Sequence, residues 1–376
     1  MAQIDRSIEN QIISCIGSNK VVLLFGTRRV GKTFLLQSIL KKTDKKVLSL
    51  NGEDLDVQEL FQRRTAANFQ NIVGDANLLM IDEAQAIPNI GQALKLMIDT
   101  QSQLTILATG SSSLELVNQS GEPLTGRNIP FMLYPIAQSE LKQNPIEARQ
   151  HLDERLIFGS YPEVFQLNGH SEKAAYLQQL VQSYLLKDIL AYSGIRHSDK
   201  INALLRLVAF QSGSEVSYSE LSNRLGISKI TVENYLDLLS KVFILYKLPA
   251  YNTNQRNEIS KSVKWYFYDN GIRNAIVNDF RSSALRNDTG QLWESYIISE
   301  RIKKLRYSGS LAQLYFWRTY QQQEIDLIEF DNGVLRAFEI KFSAPAKFKI
   351  PSAFRNTYPG AEVKLISKEN YQEFIL

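Results

Sequence analysis

A parallel α/β sheet flanked by helices is what this sequence of 376 residues predicts for its first third, and three observations predict it. Short, unbroken apolar runs at residues 21–25, 46–50, 78–81 and 104–108 alternate with stretches of helical periodicity. Such runs suit strands buried on both faces, as in a sheet whose crossovers are helices. The polar motifs of this region all follow the apolar runs, at the carboxyl ends of the predicted strands, where open α/β sheets hold their ligands. The most specific is Gly26-Thr27-Arg28-Arg29-Val30-Gly31-Lys32-Thr33, a complete G-x-x-x-x-G-K-[ST] spacing that joins the first run to the helical residues 34–40.

The elements follow in order. The glycines of residues 26–33 let the backbone curl so that successive N–H groups face phosphate oxygens, and the next helix adds the positive potential of its amino terminus. Lys32 is expected on the β and γ phosphates and Thr33 on Mg²⁺, which makes ATP and Mg²⁺ the expected ligands. A strand at 46–50 and a helix at 57–69 come next. Leu78-Leu79-Met80-Ile81-Asp82-Glu83 is a Walker B pattern, with Asp82 holding Mg²⁺ through water and Glu83 polarising the attacking water. The fourth strand ends in Thr109-Gly110-Ser111-Ser112-Ser113. Thr109 and Ser111 suit either sensing of the γ phosphate or capping of the next helix, and both readings stay open. This first domain is expected over residues 1–136.

Residues 137–195 turn helical, with Leu177, Leu180, Val181, Tyr184, Leu185 and Ile189 on one apolar face, and read as a helical lid. Residues 196–280 read as a winged helix: helices at 200–210, 218–225 and 229–239, with Gly226 in the turn and Ser228 as cap, then wing strands at 242–246 and 264–268. The second helix of the pair offers Lys229, Thr231, Glu233, Asn234, Asp237 and Lys241, a balanced set for which attraction to DNA phosphates is modest.

Residues 285–376 carry a second constellation. Asn332-Gly333 is the pair favoured in a two-residue hairpin loop, between strands at 324–330 and 335–342. That loop sets a register in which Asp326 lies opposite Glu339 with Lys341 on the same face, while Ile325, Leu327, Phe338, Ile340 and Phe342 form the other face. Carboxylates facing each other at about 5 Å repel unless a cation or water screens them. Tyr307, Tyr315, Phe316, Trp317, Arg318 and Tyr320 precede the hairpin, and Lys347 and Lys349 follow it. They read as base-stacking candidates if exposed and as core if not.

Several of these segments resemble a known family. Residues 26–33, Asp82-Glu83-Ala84-Gln85, residues 107–113, Leu124-Thr125-Gly126-Arg127 and Phe158-Gly159-Ser160-Tyr161-Pro162-Glu163 are similar, essentially end to end, to the prokaryotic AAA-type P-loop ATPases with a C-terminal nuclease-like domain. The resemblance implies ATP binding, a lid that moves with nucleotide state, and Arg127 as an arginine finger or sensor toward the γ phosphate. Arg28 and Arg29 stand where relatives often have Arg-Gln. Glu294, Asp326 and Glu339-Ile340-Lys341 resemble the PD-(D/E)XK nuclease superfamily, in which the acids bind Mg²⁺ and the lysine assists the attacking water. Many relatives with that fold serve as platforms without cutting. The expected fold class is therefore α/β: a P-loop NTPase core of AAA type, a helical lid, a winged helix and a C-terminal α/β nuclease-like domain.

Composition narrows the setting. Cys15 is the one cysteine, which excludes an internal disulfide and a cysteine zinc site and suits a reducing cytosol. No apolar run approaches the roughly 20 residues of a membrane span, so a cytoplasmic chain without a membrane partner is expected. A net charge of +4 permits nucleic acid as a partner without demanding it. The expected activity couples binding and slow hydrolysis of Mg·ATP to the later domains, acting on duplex DNA. Two alternatives stay open, an ATP-gated Mg²⁺-dependent DNA nuclease and a nucleotide switch that contacts only proteins, as does assembly into a homo-oligomer.

Overall fold

The structure, a computed structural model, describes residues 4–110, 124–185, 198–252 and 263–376. Ser111, Ser112, Ser113 and Ile189 lie outside the described residues. Chain contacts divide the molecule into two compact units, Met1–Tyr134 with Lys241–Phe243, and Pro135–Ser240 with Ile244–Leu376. The first boundary falls beside the expected one at residue 136. The lid, winged helix and C-terminal segment, expected as separate domains, belong to a single unit. Among the described residues no helix is long and apolar enough to cross a membrane.

The first unit is built on five strands, β1 (Val21–Phe25), β2 (Val47–Asn51), β3 (Leu78–Asp82), β4 (Thr105–Gly110) and β5 (Asn128–Met132), in the order β2-β3-β4-β1-β5. All four ladders are parallel. Every residue of β1 and β4 is buried, as central strands covered by helices require. The predicted strands are present. β5 is an addition, and its Pro130 is tolerated because the strand lies at the edge and pairs with β1 alone. The single helix expected at 57–69 is instead two, Leu55–Leu60 and Ala66–Val73. The break comes at Thr65, whose side chain caps the second helix by accepting from Asn68 N at 3.2 Å.

In the second unit, short helices Pro145–Gln150 and Leu152–Phe158 precede His170–Leu180, which buries Leu177 and Leu180 as its periodicity predicts. Three further helices, Ser198–Phe210, Tyr218–Leu225 and Lys229–Lys241, lead to an antiparallel pair, β6 (Leu245–Pro249) and β7 (Val263–Phe267). Gly226 ends the second of these helices at φ 62°, and Ser228 Oγ accepts from Thr231 N at 3.0 Å to start the third.

The C-terminal sheet contains β8 (Gln313–Arg318), β9 (Glu324–Asp331), β10 (Val334–Ile340) and β11 (Glu362–Ile366), ordered β11-β10-β9-β8. The 19-residue helix Thr289–Tyr307 precedes it. Asn332 and Gly333 adopt φ 49° and 81°, as a two-residue turn of this type requires, and the ladder runs from Val334–Asp331 to Phe338–Leu327 in the predicted register. The hairpin is not a solvated edge. Ile325, Leu327, Phe338 and Ile340 are buried on one face, but Asp326, Ile328, Glu329 and Ala337 are buried as well. Of the aromatics before it, Tyr307, Phe316 and Trp317 are core, whereas Tyr320 is almost fully exposed.

Candidate functional site

The phosphate loop leaves β1 at Phe25 and enters helix Lys32–Lys41 at Thr33. Gly26 is required sterically, since a Cβ there would sit 2.4 Å from Leu133 O. Gly31 takes φ 97°, a left-handed conformation that costs glycine little. Lys32 is buried, and its ammonium donates to the loop's own carbonyls, Gly26 O at 2.9 Å and Thr27 O at 3.2 Å. The cation thus lies across the concave side of the loop, against which phosphates pack in this motif.

Register brings the second motif to the same end of the sheet. Asp82 closes β3, and Thr33 Oγ1 donates to Asp82 Oδ2 at 2.6 Å. Thr109, buried in β4 beside Leu24 of β1, donates from Oγ1 to Asp82 Oδ1 at 2.5 Å and accepts from Glu83 N at 3.0 Å. Thr109 therefore holds the Asp82 carboxylate and the Glu83 backbone. Glu83 adopts φ 50° and its Oε2 accepts from Gln85 Nε2 at 2.5 Å. A threonine hydroxyl and a carboxylate in contact form a hard-oxygen pair that fits Mg²⁺, with phosphate and water supplying the remaining ligands.

Arg127 is not brought to this site. Its carbonyl accepts from Val21 N, at the start of β1, so it lies at the amino-terminal edge of the sheet, about 13 Å of strand from Phe25. Its Nε donates to Asp99 at 2.5 Å. A finger or sensor role toward the nucleotide of its own chain does not fit this position, because the parallel register of β5 fixes which end of the sheet Arg127 occupies.

Two residues that sequence reasoning missed support the site, Arg6 at the phosphate loop and Gly52 at Glu83. Arg6 is buried and donates from Nη1 to Val30 O at 2.9 Å and from Nη2 to Tyr134 O at 2.6 Å, tying the loop to the chain just beyond β5. Hydrogen bonds from a charged donor contribute about 1.5–3 kcal/mol each. Gly52 follows β2, where a Cβ would meet Glu83 O at 2.4 Å. Neither bears a local motif: each acts on a segment distant in sequence.

The second constellation also assembles. Glu294, Glu324, Asp326 and Glu339 cluster with Lys341 and with two residues of β7, Lys264 and Tyr266, which the sequence did not single out. Lys341 Nζ lies 2.8 Å from Glu339 Oε1 and 3.4 Å from Asp326 Oδ2, which also accepts from Ile340 N at 2.8 Å. Lys264, almost fully buried, pairs with Glu324 Oε1 and lies 3.5 Å from Glu294 Oε1. Tyr266 OH donates to that same Glu294 oxygen at 2.5 Å. Arg318 Nε stands 3.5 Å from Glu324 Oε2.

Burial and the Asp326 charge push the Glu294 carboxyl up to about 7, against the opposing pull of Lys264. Burial and Asp326 likewise raise Glu339, whose Oε2 is buried without a hydrogen-bond partner. Burial would lower Lys264, but the charges of Glu294, Glu324 and Asp326 outweigh it and hold the ammonium above its ordinary value. Lys341 is raised for the same reason, by Asp326 and Glu339.

Comparison with known proteins finds three matching families along the chain. Residues 18–142 match a family described as AAA domain, residues 149–283 a domain of unknown function (DUF8612), and residues 289–373 another (DUF4143). The chain is 27% identical over 325 residues to an uncharacterized protein of Mycobacterium tuberculosis, covering 85% of this chain and 70% of that protein. An uncharacterized protein of Haemophilus influenzae is 24% identical over 395 residues, covering 97% and 91%. Among solved structures, the Walker-type ATPase of Pyrococcus abyssi aligns with a TM-score of 0.47 and 16% identity, over 73% of this chain and 96% of that one. The matched AAA segment contains β1 to β5, the phosphate loop, and the Thr33–Asp82–Thr109 chain of hydrogen bonds. The amino-terminal unit thus has a parallel α/β sheet with a phosphate loop, and residues 18–142 within it are similar to the AAA domain family.

Proposed function

We propose that this chain binds and hydrolyses Mg·ATP at residues 26–33, and that the second unit is the body through which nucleotide state acts on a partner. The observation that carries the reading is the contact of Thr33 with Asp82, beside a lysine that spans the phosphate loop. On binding, Lys32 exchanges the carbonyls of Gly26 and Thr27 for phosphate oxygens, and the loop N–H groups take up the remaining charge. Thr33 and Asp82 would hold Mg²⁺, which neutralises charge on the transferring phosphoryl group. Thr109 keeps the Asp82 carboxylate turned toward Thr33, while Arg6 holds the rim of the loop through Val30 O. Glu83 is the base-side carboxylate that orients the attacking water. Release from Gln85 is needed for it to do so.

Duplex DNA is the partner we favour for the second unit. Supporting this are the helix pair Tyr218–Leu225 and Lys229–Lys241 with Gly226 between them, followed by the β6–β7 pair, the element order of a winged helix. Lys229, Glu233, Asn234 and Lys241 are exposed, a mixed face that predicts weak and salt-sensitive contact. The test is steady-state ATP hydrolysis with Mg²⁺, with and without duplex DNA, using Lys32→Ala as the blank. A Lys32-dependent rate raised by DNA supports coupling to nucleic acid. Turnover indifferent to DNA at every salt concentration favours a switch that contacts proteins, and a wild-type rate equal to the blank rejects hydrolysis by the isolated chain.

A further inference from the structure

Glu294, Asp326 and Glu339 of the second unit look, in sequence, like ligands for a divalent cation, and the structure adds Glu324 to them. Their partners in the structure say otherwise. A carboxylate site for Mg²⁺ or Mn²⁺ needs several oxygens converging on one point with their charge uncompensated. Here each acid already has a partner on at least one oxygen, although Glu339 Oε2 is buried without one. Glu294 Oε1 takes the Tyr266 hydroxyl and faces Lys264, Glu324 pairs with Lys264 and Arg318, Asp326 Oδ2 takes Ile340 N and faces Lys341, and Glu339 Oε1 pairs with Lys341. Among the described residues, no group of three or more histidine, cysteine, aspartate or glutamate side chains is arranged to hold a metal ion. Lys264 reaches this cluster from β7, an element outside the C-terminal sheet, and is buried there at 1% exposure.

We propose that the Lys264 ammonium stands in for a divalent cation, so that Glu294, Glu324, Asp326 and Glu339 form an internally compensated cluster that neither takes up a metal nor cuts nucleic acid. Four carboxylates meet the three cations Lys264, Lys341 and Arg318, and the negative charge that remains is the equivalent of one proton on the cluster. Lysine is suited to the position because its compact ammonium can serve several carboxylates at once. The same contacts anchor β7 to helix Thr289–Tyr307 and to β9, so the residue that excludes the metal also fastens the two parts of the unit together. This inference does not depend on the nucleotide reading.

The test counts bound Mn²⁺ by the loss of its free-ion electron paramagnetic resonance signal, on the full chain without nucleotide, in wild type and in Asp82→Asn. Asp82→Asn removes any contribution from the phosphate-loop site, so failure there is kept separate from failure here. We expect no stoichiometric Mn²⁺ in either protein; one equivalent retained by Asp82→Asn would overturn the proposal. Lys264→Met is the converse arm, expected to gain one equivalent at an affinity at least tenfold above wild type, and to fold better with Mn²⁺ than without. A folded Lys264→Met that binds no Mn²⁺ would also overturn it. Where that variant unfolds in both conditions, the count on Asp82→Asn alone decides.

Discussion

Asp82 and Asp326 are both buried or half-buried acids near the end of a strand, both flanked by a second acid, and both flagged by motif. Their partners differ. Asp82 accepts from two threonine hydroxyls and a backbone N–H, all neutral, so its negative charge is held in place without being cancelled. Asp326 faces the Lys341 ammonium and lies in a group where Lys264 and Arg318 serve the neighbouring acids. Neutral donors orient a carboxylate and leave it ready for a cation, whereas ammonium partners satisfy it. Two acid motifs thus sit in different surroundings, neutral donors around Asp82 and ammonium groups around Asp326.

The largest expected effect tests the first half of that contrast. Lys32→Ala removes the cation of the phosphate loop and should lower the ATPase rate by about 10²–10³-fold, the scale on which a lost transition-state donor acts. Steady-state hydrolysis with the variant and wild type measures it, and equal rates would break the assignment of this site. Next comes Lys264→Met. Removing one partner of a buried ion pair costs about 3 kcal/mol or more, because the remaining carboxylates stay buried with less compensation. Urea unfolding followed by tryptophan fluorescence is well placed to read it, since Trp265, Trp293 and Trp317 all lie in the second unit. A midpoint that does not move would mean that Lys264 is not what stabilises the cluster.

Asp82→Asn should act more narrowly. The amide keeps an acceptor oxygen for only one of Thr33 and Thr109, which donate to different Asp82 oxygens, and loses the charge, so Mg²⁺ affinity in the nucleotide complex should fall about 10–100-fold, as when a group that holds a metal through water is altered. A titration of Mg²⁺ against the hydrolysis rate separates this from loss of nucleotide itself. Asp326→Asn should leave that titration unchanged.

How much of this was legible depended on how local the chemistry is. The chemistry expected of residues 26–33 lies in their own backbone, so the motif, its strand and its helix could be read directly. The Asn332-Gly333 turn fixed the hairpin register in the same local way. Arg6 was not legible, because its carbonyl partners Val30 and Tyr134 lie 24 and 128 positions away. β5 was hidden by Pro130, a residue that argues against a strand except at an edge. Arg127 was misplaced for the same reason: without β5 and its register, nothing assigned it to the end of the sheet opposite the phosphate loop. Lys264 lay within an expected strand, but its acid partners come from a helix 30 positions on and a strand 60 positions on. Sequence named Glu294, Asp326, Glu339 and Lys341, and only the fold brought Lys264 and Glu324 to them.

The smallest expected effect sharpens the contrast by asking how complete the compensation is. Three cations against four acids leave a residual charge, and burial with Asp326 raises the Glu294 carboxyl to about 7 from an ordinary 4.5. Below pH 4.5 the folded and unfolded chains both hold the Glu294 proton. Between 4.5 and 7 the unfolded chain releases it while the folded unit retains it, so the folded state binds more protons and stability falls as pH rises. Glu339, also raised, acts in the same direction. Glu154, held down to about 2 by Lys173 and Arg155 against the effect of burial, contributes stability that is lost only below pH 4.5 and so leaves this window untouched. Tryptophan-monitored unfolding across pH 4.5 to 7 should show stability declining as pH rises, with a shallower slope in Glu294→Gln, whose amide has no proton to release. An equal slope in both proteins would mean that the lysines compensate Glu294 fully, and the cluster would then differ from Asp82 even more sharply than the structure implies.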